Sequence, residues 1–351
     1  MLIANFPFPT MRPTMRDVAE LAGVSQVTVT NVLRGREART SSATRERVLR
    51  AVHKLGYTPV AQPASQQRHV ETKVIGVTFD QIDALQDQLG LIILQGLREG
   101  AARHGYDLLL MLRPAPDWAP NREEVLFLDR RSDGFIFVAP LHRHKVLRAL
   151  VKHRIPVVSC SSSDVPPGVA AVHADNFDEV HQAVRHLKQC GHSRILHIAG
   201  PTWNFDERMR GESFAPAMKA EGLAKYSDWI LRGPDAKPWL EPSVTFAEVK
   251  RRKATAVVCC NDGVAIELWK CAQQNGCKVP RDLSIIGIND TTAATQFGLT
   301  SVNMGLANMG VEAVESWIAL QQGASYKTQN KKTPVQLISR ASVAPPRRST
   351  R

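Results

Sequence analysis

From Ser25 to Asn31 the chain reads SQVTVTN, in which Gln26, Thr28 and Thr30 alternate with valines and Asn31 follows. Gln26 and Asn31 carry amides that can bond bidentately to adenine, and Val27 offers methyl contacts to thymine. Ser25, Thr28 and Thr30 are short hydroxyls suited to phosphate oxygens, which fix position rather than sequence. That chemistry needs a helix whose amino-terminal half stands proud of its own support.

The flanking residues supply the support. Thr14 and Asp17 have capping-box spacing, so a helix is predicted from Met15, with Val18, Ala19, Leu21 and Ala22 on its apolar face. Gly23 allows a sharp turn, Val24 plugs the corner, and Ser25 can cap a second helix whose inward residues are Val29, Val32 and Leu33. A third helix follows, capped by Ser41 or Ser42, with Val48, Leu49, Val52 and Leu55 as its buried stripe and Gly56 as its stop. The apolar spacing is that of a helix-turn-helix, which makes Ser25, Gln26, Val27, Thr28, Thr30 and Asn31 the expected DNA-binding residues.

Charge agrees with a polyanionic partner. The chain has a formal net charge of +12, and residues 11–58 hold nine Lys/Arg against four Asp/Glu. Positive charge is therefore concentrated where the helix-turn-helix lies, as double-stranded DNA would require.

The rest of the chain is ordinary for a soluble globular protein, at 43% hydrophobic and 22% charged residues over 351 positions. No apolar run reaches the roughly 18 residues of a membrane span. The opening MLIANFPFPTM makes a poor secretory signal, so a cytoplasmic protein is expected. The six cysteines form no C-x-x-C pair and read as free thiols in a reducing compartment. Phosphate-loop, dinucleotide, nucleophile-elbow and zincin motifs are missing from the sequence, which predicts no catalytic residues, no metal ligands and no cofactor. A transporter's solute-binding protein would need a signal and no basic helix-turn-helix; the sequence has the reverse.

After residue 72 the pattern changes. Three times a helix-like segment ends at glycine and enters an apolar strand, in REGAARHGYDLLL, RHLKQCGHSRILHIAG and KCAQQNGCKVPRDLSIIGI. Alternation of this kind builds parallel sheets with helices on both faces. One run opens at Lys73 and another at Ser193, which suggests two lobes.

Taken together, DVAELAGVS, TRERV (44–48), LGYTP (55–59), KVIGV (73–77), DGFIFV (133–138), GHSRILHIAGP (191–201), AVVCCND (256–262) and VPRDLSIIGIND (279–290) give the chain a clear likeness. It resembles a LacI-type transcriptional regulator over about residues 14–345. The resemblance implies an all-α DNA-binding head plus an α/β two-lobed periplasmic-binding-protein-like core of two doubly wound parallel sheets. The expected domains are a head at 14–58, a hinge linker at 59–72, and an effector-binding and dimerisation region at 73–345. The chain is expected to cross between lobes near 163, 291 and 325. Expected partners are a palindromic operator, a second subunit and a small effector in the interlobe cleft, which lies beyond the carboxyl ends of the strands.

The resemblance also nominates cleft residues. Arg210 in DERMRGESF occupies the position of an effector-gripping arginine, and Asp206 lies one helical turn before it. Asn261 matches a polar cleft position, while Asn289 and Ser161 stand where relatives often carry aspartate. Asp80 is a further candidate from the first lobe. The resemblance implies a repressor controlled by a sugar, a sugar acid or a sugar phosphate, and loss of two carboxylates beside a retained arginine favours an effector with an acid or phosphate group. In the linker, Gln66 replaces the family's minor-groove leucine, Val60 replaces an asparagine and Pro63 an alanine, which predicts a weak or absent wedge.

Overall fold

Thr14 starts the first helix by a reciprocal cap: its N–H donates to Asp17 Oδ2 at 2.6 Å, and Asp17 N–H donates to Thr14 Oγ1 at 3.4 Å. The computed structural model describes residues 14–33, 40–55, 71–79, 89–111, 127–128, 131–140, 144–234 and 240–347. These fall in two compact units, 1–68 and 69–351.

The first unit holds α1 (Met15–Ala22), α2 (Gln26–Leu33) and α3 (Ser42–Leu55). Gly23 takes φ 64°, a left-handed turn that an L side chain resists, and Val24 N–H closes back on Ala19 O at 3.0 Å. Val18, Ala19, Ala22, Val29, Val48 and Ala51 form the buried centre. Two expected core positions lie outside it. Leu21 is 45% exposed and Leu49 44%, because each sits on the flank of its helix, while Ala22 and Ala51 occupy the inward phase. Ser41 is the residue that caps α3, accepting from Thr44 N–H at 3.3 Å. Gly56 and the linker positions Val60, Pro63 and Gln66 lie outside the described residues.

The second unit contains two six-stranded sheets. The first has β1 (Val74–Phe79), β2 (Asp107–Met111), β3 (Gly134–Val138), β4 (Val157–Cys160), β5 (Ala170–Ala174) and β11 (Lys331–Thr333), ordered β11-β5-β4-β3-β1-β2 and parallel throughout. The second has β6 (Ile195–Ala199), β7 (Ile230–Arg232), β8 (Ala256–Cys259), β9 (Ser284–Ile288), β10 (Thr300–Asn303) and β12 (Gln336–Ile338). Its order is β12-β10-β9-β8-β6-β7, with only β12 antiparallel. Strands such as β3, GFIFV, are buried at every residue because helices cover both faces of the sheet.

The helices fix where each lobe ends. α4 (Leu89–Arg103) packs on α11 (Leu306–Gln321) in the first lobe, so closely that a Cβ at Gly96 would lie 1.8 Å from the carbonyl oxygen of Ala307. α6 (Asn176–Gln189) packs on α7 (Phe205–Ala220) in the second. The chain therefore crosses between lobes at 175, 304–305 and 334–335, and not near 163, 291 and 325. The displaced crossings have one cause. β5, β10 and β11 are short extra strands that return to the sheet just left, and segments as brief as AAVHA and TSVN carry little pattern of their own.

Candidate functional site

Helix α2 presents the reading side chains as its cap requires. Ser25 Oγ accepts from Thr28 N–H at 3.1 Å and lies 2.9 Å from Thr28 Oγ1, which fixes the first turn. Gln26 is exposed and Val27 is 68% exposed, while Val29 beside them is fully buried. Asn31 is half-buried on the same helix. Thr30 departs from the expectation of a phosphate contact. Its hydroxyl donates to Gln26 O at 2.9 Å and lies 3.2 Å from Met15 Sδ, so its proton is already used. Arg16, Arg45, Arg47 and Arg50 are exposed on the same unit and supply positive charge.

The second candidate region lies at the carboxyl ends of the strands. Backbone strain gathers there: Ala139, Ser161, Asn289 and Asp290 have φ of 46°, 76°, 112° and 52°, and they follow β3, β4 and β9. Such conformations persist where surrounding structure enforces them, and they mark functional sites more often than plain loops.

Arg210 is the centre of this region, and it is buried. Its Nε donates to Glu179 Oε2 at 2.5 Å, its Nη1 to Cys260 O at 3.3 Å, and its Nη2 reaches Met304 Sδ at 3.3 Å. Glu207 Oε1 lies 3.6 Å from Nη1. Burial opposes the guanidinium charge, but Glu179 and Glu207 outweigh it and raise its pKa further. Three carboxylates share this one cation. Burial pushes Glu179, Asp206 and Glu207 all above the usual carboxylate range, with Arg210 opposing in each case. The cluster carries more acid than base, and Glu179 Oε1 is buried without a hydrogen-bond partner among the described residues.

Several expected residues meet here. Asp206 accepts from Asn176 Nδ2 at 3.1 Å, and the Ser162 side chain of the first lobe favours its charged form. Asn261 caps α9 (Asp262–Gln274) through Val264 N–H at 3.0 Å and donates its amide to Glu207 Oε1 at 3.3 Å. Ser161 adjoins Ser162. Asn289 lies at the end of β9, with its N–H on Val302 O at 2.9 Å. Its neighbour Asp290 is spoken for by Arg340 at 2.6 Å and Asn303 at 2.8 Å. Asp80 lies outside the described residues.

The premise of an anion-seeking cleft is thereby corrected. Arg210 is no free cation, because Glu179 answers it from α6. The sequence holds a signal for Glu179: it falls in phase with Ala183 and Leu187 on the buried face of that helix. A carboxylate at an inward position demands a buried partner. Trp203, 40% exposed in the loop after β6, is a further candidate that motif spacing does not reach.

Comparison with known proteins bears on both units. Residues 14–60 match the family described as bacterial regulatory proteins, lacI family, and residues 184–343 match the periplasmic binding protein-like domain. The chain belongs to the LacI family. Among similar LacI-family proteins, the HTH-type transcriptional repressor PurR of Haemophilus influenzae (strain PittEE) is 29% identical over 345 residues, covering 95% of this chain and 96% of that protein. The HTH-type transcriptional regulator DegA of Bacillus subtilis (strain 168) is 27% identical over 345 residues, covering 95% and 99%. A LacI transcriptional regulator from a Rhodococcus species superposes with TM-score 0.66 at 26% identity, over 78% of this chain and 98% of that one. The lac repressor dimer bound to operator and the anti-inducer ONPF shares the fold, with TM-score 0.70 at 22% identity over 95% and 100%. As a LacI-family protein, the chain is a DNA-binding transcriptional regulator with a helix-turn-helix head and a two-lobed core.

Proposed function

We propose that this protein is a cytoplasmic, homodimeric repressor whose hold on a palindromic operator is set by a neutral, hydroxyl-rich effector such as a sugar. Repression is the role named for the PurR relatives. Residues 14–58 act as the reading head, 59–72 as the hinge and 73–345 as the sensing and pairing region. Two heads on one palindrome supply affinity and spacing that a single three-helix module lacks. Gln26, Val27 and Asn31 read bases, while Ser25 and Thr28 between them retain one hydroxyl proton for phosphate. With Gln66 in place of an apolar wedge, sequence selection rests on the major groove. The protein works by binding and carries out no reaction.

The ion pair of Arg210 with Glu179 carries the effector assignment. A sugar acid or sugar phosphate would bring a further anion to a buried cluster that already has three carboxylates and one guanidinium. Hydroxyl groups suit Asp206, Asn261, Asn289 and Ser161, which offer acceptors and amides, and Trp203 offers a face for a ring. Ser161 follows a strand of the first lobe while Asp206 and Asn261 belong to the second, so a ligand among these residues touches both lobes and can favour one spacing of the heads.

The test is a thermal-shift and operator-release screen of neutral sugars against sugar acids and sugar phosphates. Neutral sugars should stabilise the protein and change operator binding. Competition of an acid or phosphate with the stabilising sugar would overturn the effector assignment. Failure to select any double-stranded sequence from a random pool at low ionic strength would overturn the regulatory one.

A further inference from the structure

At the opposite end of the second sheet, where β6, β8 and β9 begin, the surface sinks into a groove of about 530 Å³. That size suits a small organic ligand. Five basic side chains line it, Arg194, Lys250, Lys253, Arg281 and Arg347, with Asp282 as the one carboxylate. Asp282 is fully engaged: Arg281 lies 3.0 Å away and Arg347 3.2 Å, and the Arg281 contact holds its carboxyl down at about 2.

Arg194, Lys250 and Lys253 hold no carboxylate among the described residues. Lys250 Nζ rests 5.2 Å over the Phe246 ring instead. Several other cations of the same lobe have carboxylate partners: Lys188 has Glu221, Arg208 has Glu212, Arg251 and Arg252 have Glu248, and Lys270 has Glu267. The charges act on a common space. Burial raises the Cys277 thiol pKa, and Lys250 and Arg281 both act against that rise. Phe246, Val249 and Leu283 give the groove an apolar floor.

We infer that this groove binds a small organic phosphate, with Arg194, Lys250 and Lys253 taking its oxygens and the apolar floor taking its body. A phosphate group carries roughly −1.5 to −2 charges, so three uncompensated cations in a concave site match a ligand with two such groups. A second copy of the chain, at a net charge of +12, does not supply that charge. The site is independent of the effector cleft, which lies at the other ends of the same strands.

Calorimetry on the full-length protein at fixed ionic strength tests this, with pyrophosphate, ADP and adenosine as probes. Pyrophosphate and ADP should saturate a site, and adenosine alone should not. The Lys250→Glu/Lys253→Glu variant, altered only at exposed side chains, should weaken both by about tenfold or more, as loss of charge-assisted contacts requires. Arg194→Ala should weaken them less, and Arg47→Ala in the head should leave both phosphate affinities as they are. Tighter binding of ADP than of pyrophosphate would support the apolar floor's hold on the ligand's body; equal affinities would overturn that part of the inference. Absence of binding by either phosphate, undiminished binding in the lysine variant, or loss only in the head variant would overturn the inference. So would binding of an acidic peptide where both phosphates fail.

Discussion

Arg210 Nε and Glu179 Oε2 stand 2.5 Å apart with both side chains almost wholly buried, one on α7 and the other on α6. This pair joins the helix that follows the first crossing to the helix that carries Asp206 and Glu207. Met304, at the second crossing, touches the same guanidinium. The arginine thus ties together two of the three places where the chain passes between lobes.

Removing it should be costly. Arg210→Ala leaves three carboxylates buried without their cation, for an expected loss of about 3–5 kcal/mol in urea denaturation of the core. Glu179→Gln keeps the shape and lowers the excess negative charge while Glu207 still faces the guanidinium, so it should cost less than Arg210→Ala. Equal losses from the two variants would show that the pair, rather than the guanidinium, is what the fold needs.

Stability should also respond to pH through Asp262. This carboxyl accepts from Ser301 Oγ at 2.6 Å and Thr291 N–H at 2.7 Å, yet burial raises its pKa from 3.8 to about 6. The folded state then holds a proton that the unfolded state has released. Its contribution is fully present below pH 3.8 and is lost as pH rises through about 6, on the order of 3 kcal/mol. The difference between wild type and Asp262→Asn should change across that window; a flat difference would contradict the assignment.

In the head, Gln26→Ala and Asn31→Ala should each cost about 1–3 kcal/mol on the preferred operator and much less on altered sequences. Arg47→Ala should weaken all sequences alike and lower the salt slope by about one. Competition binding against single-base operator variants separates the two behaviours. Uniform loss in Gln26→Ala would remove that residue from the base readers.

Gly96→Ala should disrupt the first lobe. The added Cβ would meet a backbone oxygen at 1.8 Å, and backbone cannot rotate away as a side chain could. Forcing α4 and α11 apart should cost about 1–3 kcal/mol or more, read as a lower urea midpoint for the core. An unchanged midpoint would mean the two helices separate freely.

Local chemistry was legible without a structure. The Thr14–Asp17 box, the Gly23 turn and the Ser25 cap each depend on residues within a few positions of one another, and each occurs where spacing places it. Burial was legible only by phase: Val18, Val29 and Val48 are inside, while Leu21 and Leu49 flank their helices and stay exposed. The crossings moved by 9 to 14 residues because short strands such as β5 add to a sheet without a pattern of their own.

The sequence by itself determined the head, the alternation of helices and strands, and the identity of the polar residues at the strand ends. These follow from capping, turns and periodicity, which act over a turn or two of chain. Only the tertiary structure decided which charges meet. Glu179 lies 31 positions from Arg210, and Met304 lies 94, yet all three converge when α6, α7 and the second crossing pack together. Whether an arginine is free for a ligand or already satisfied depends on that convergence, because a charge leaves water only where the fold brings it a partner.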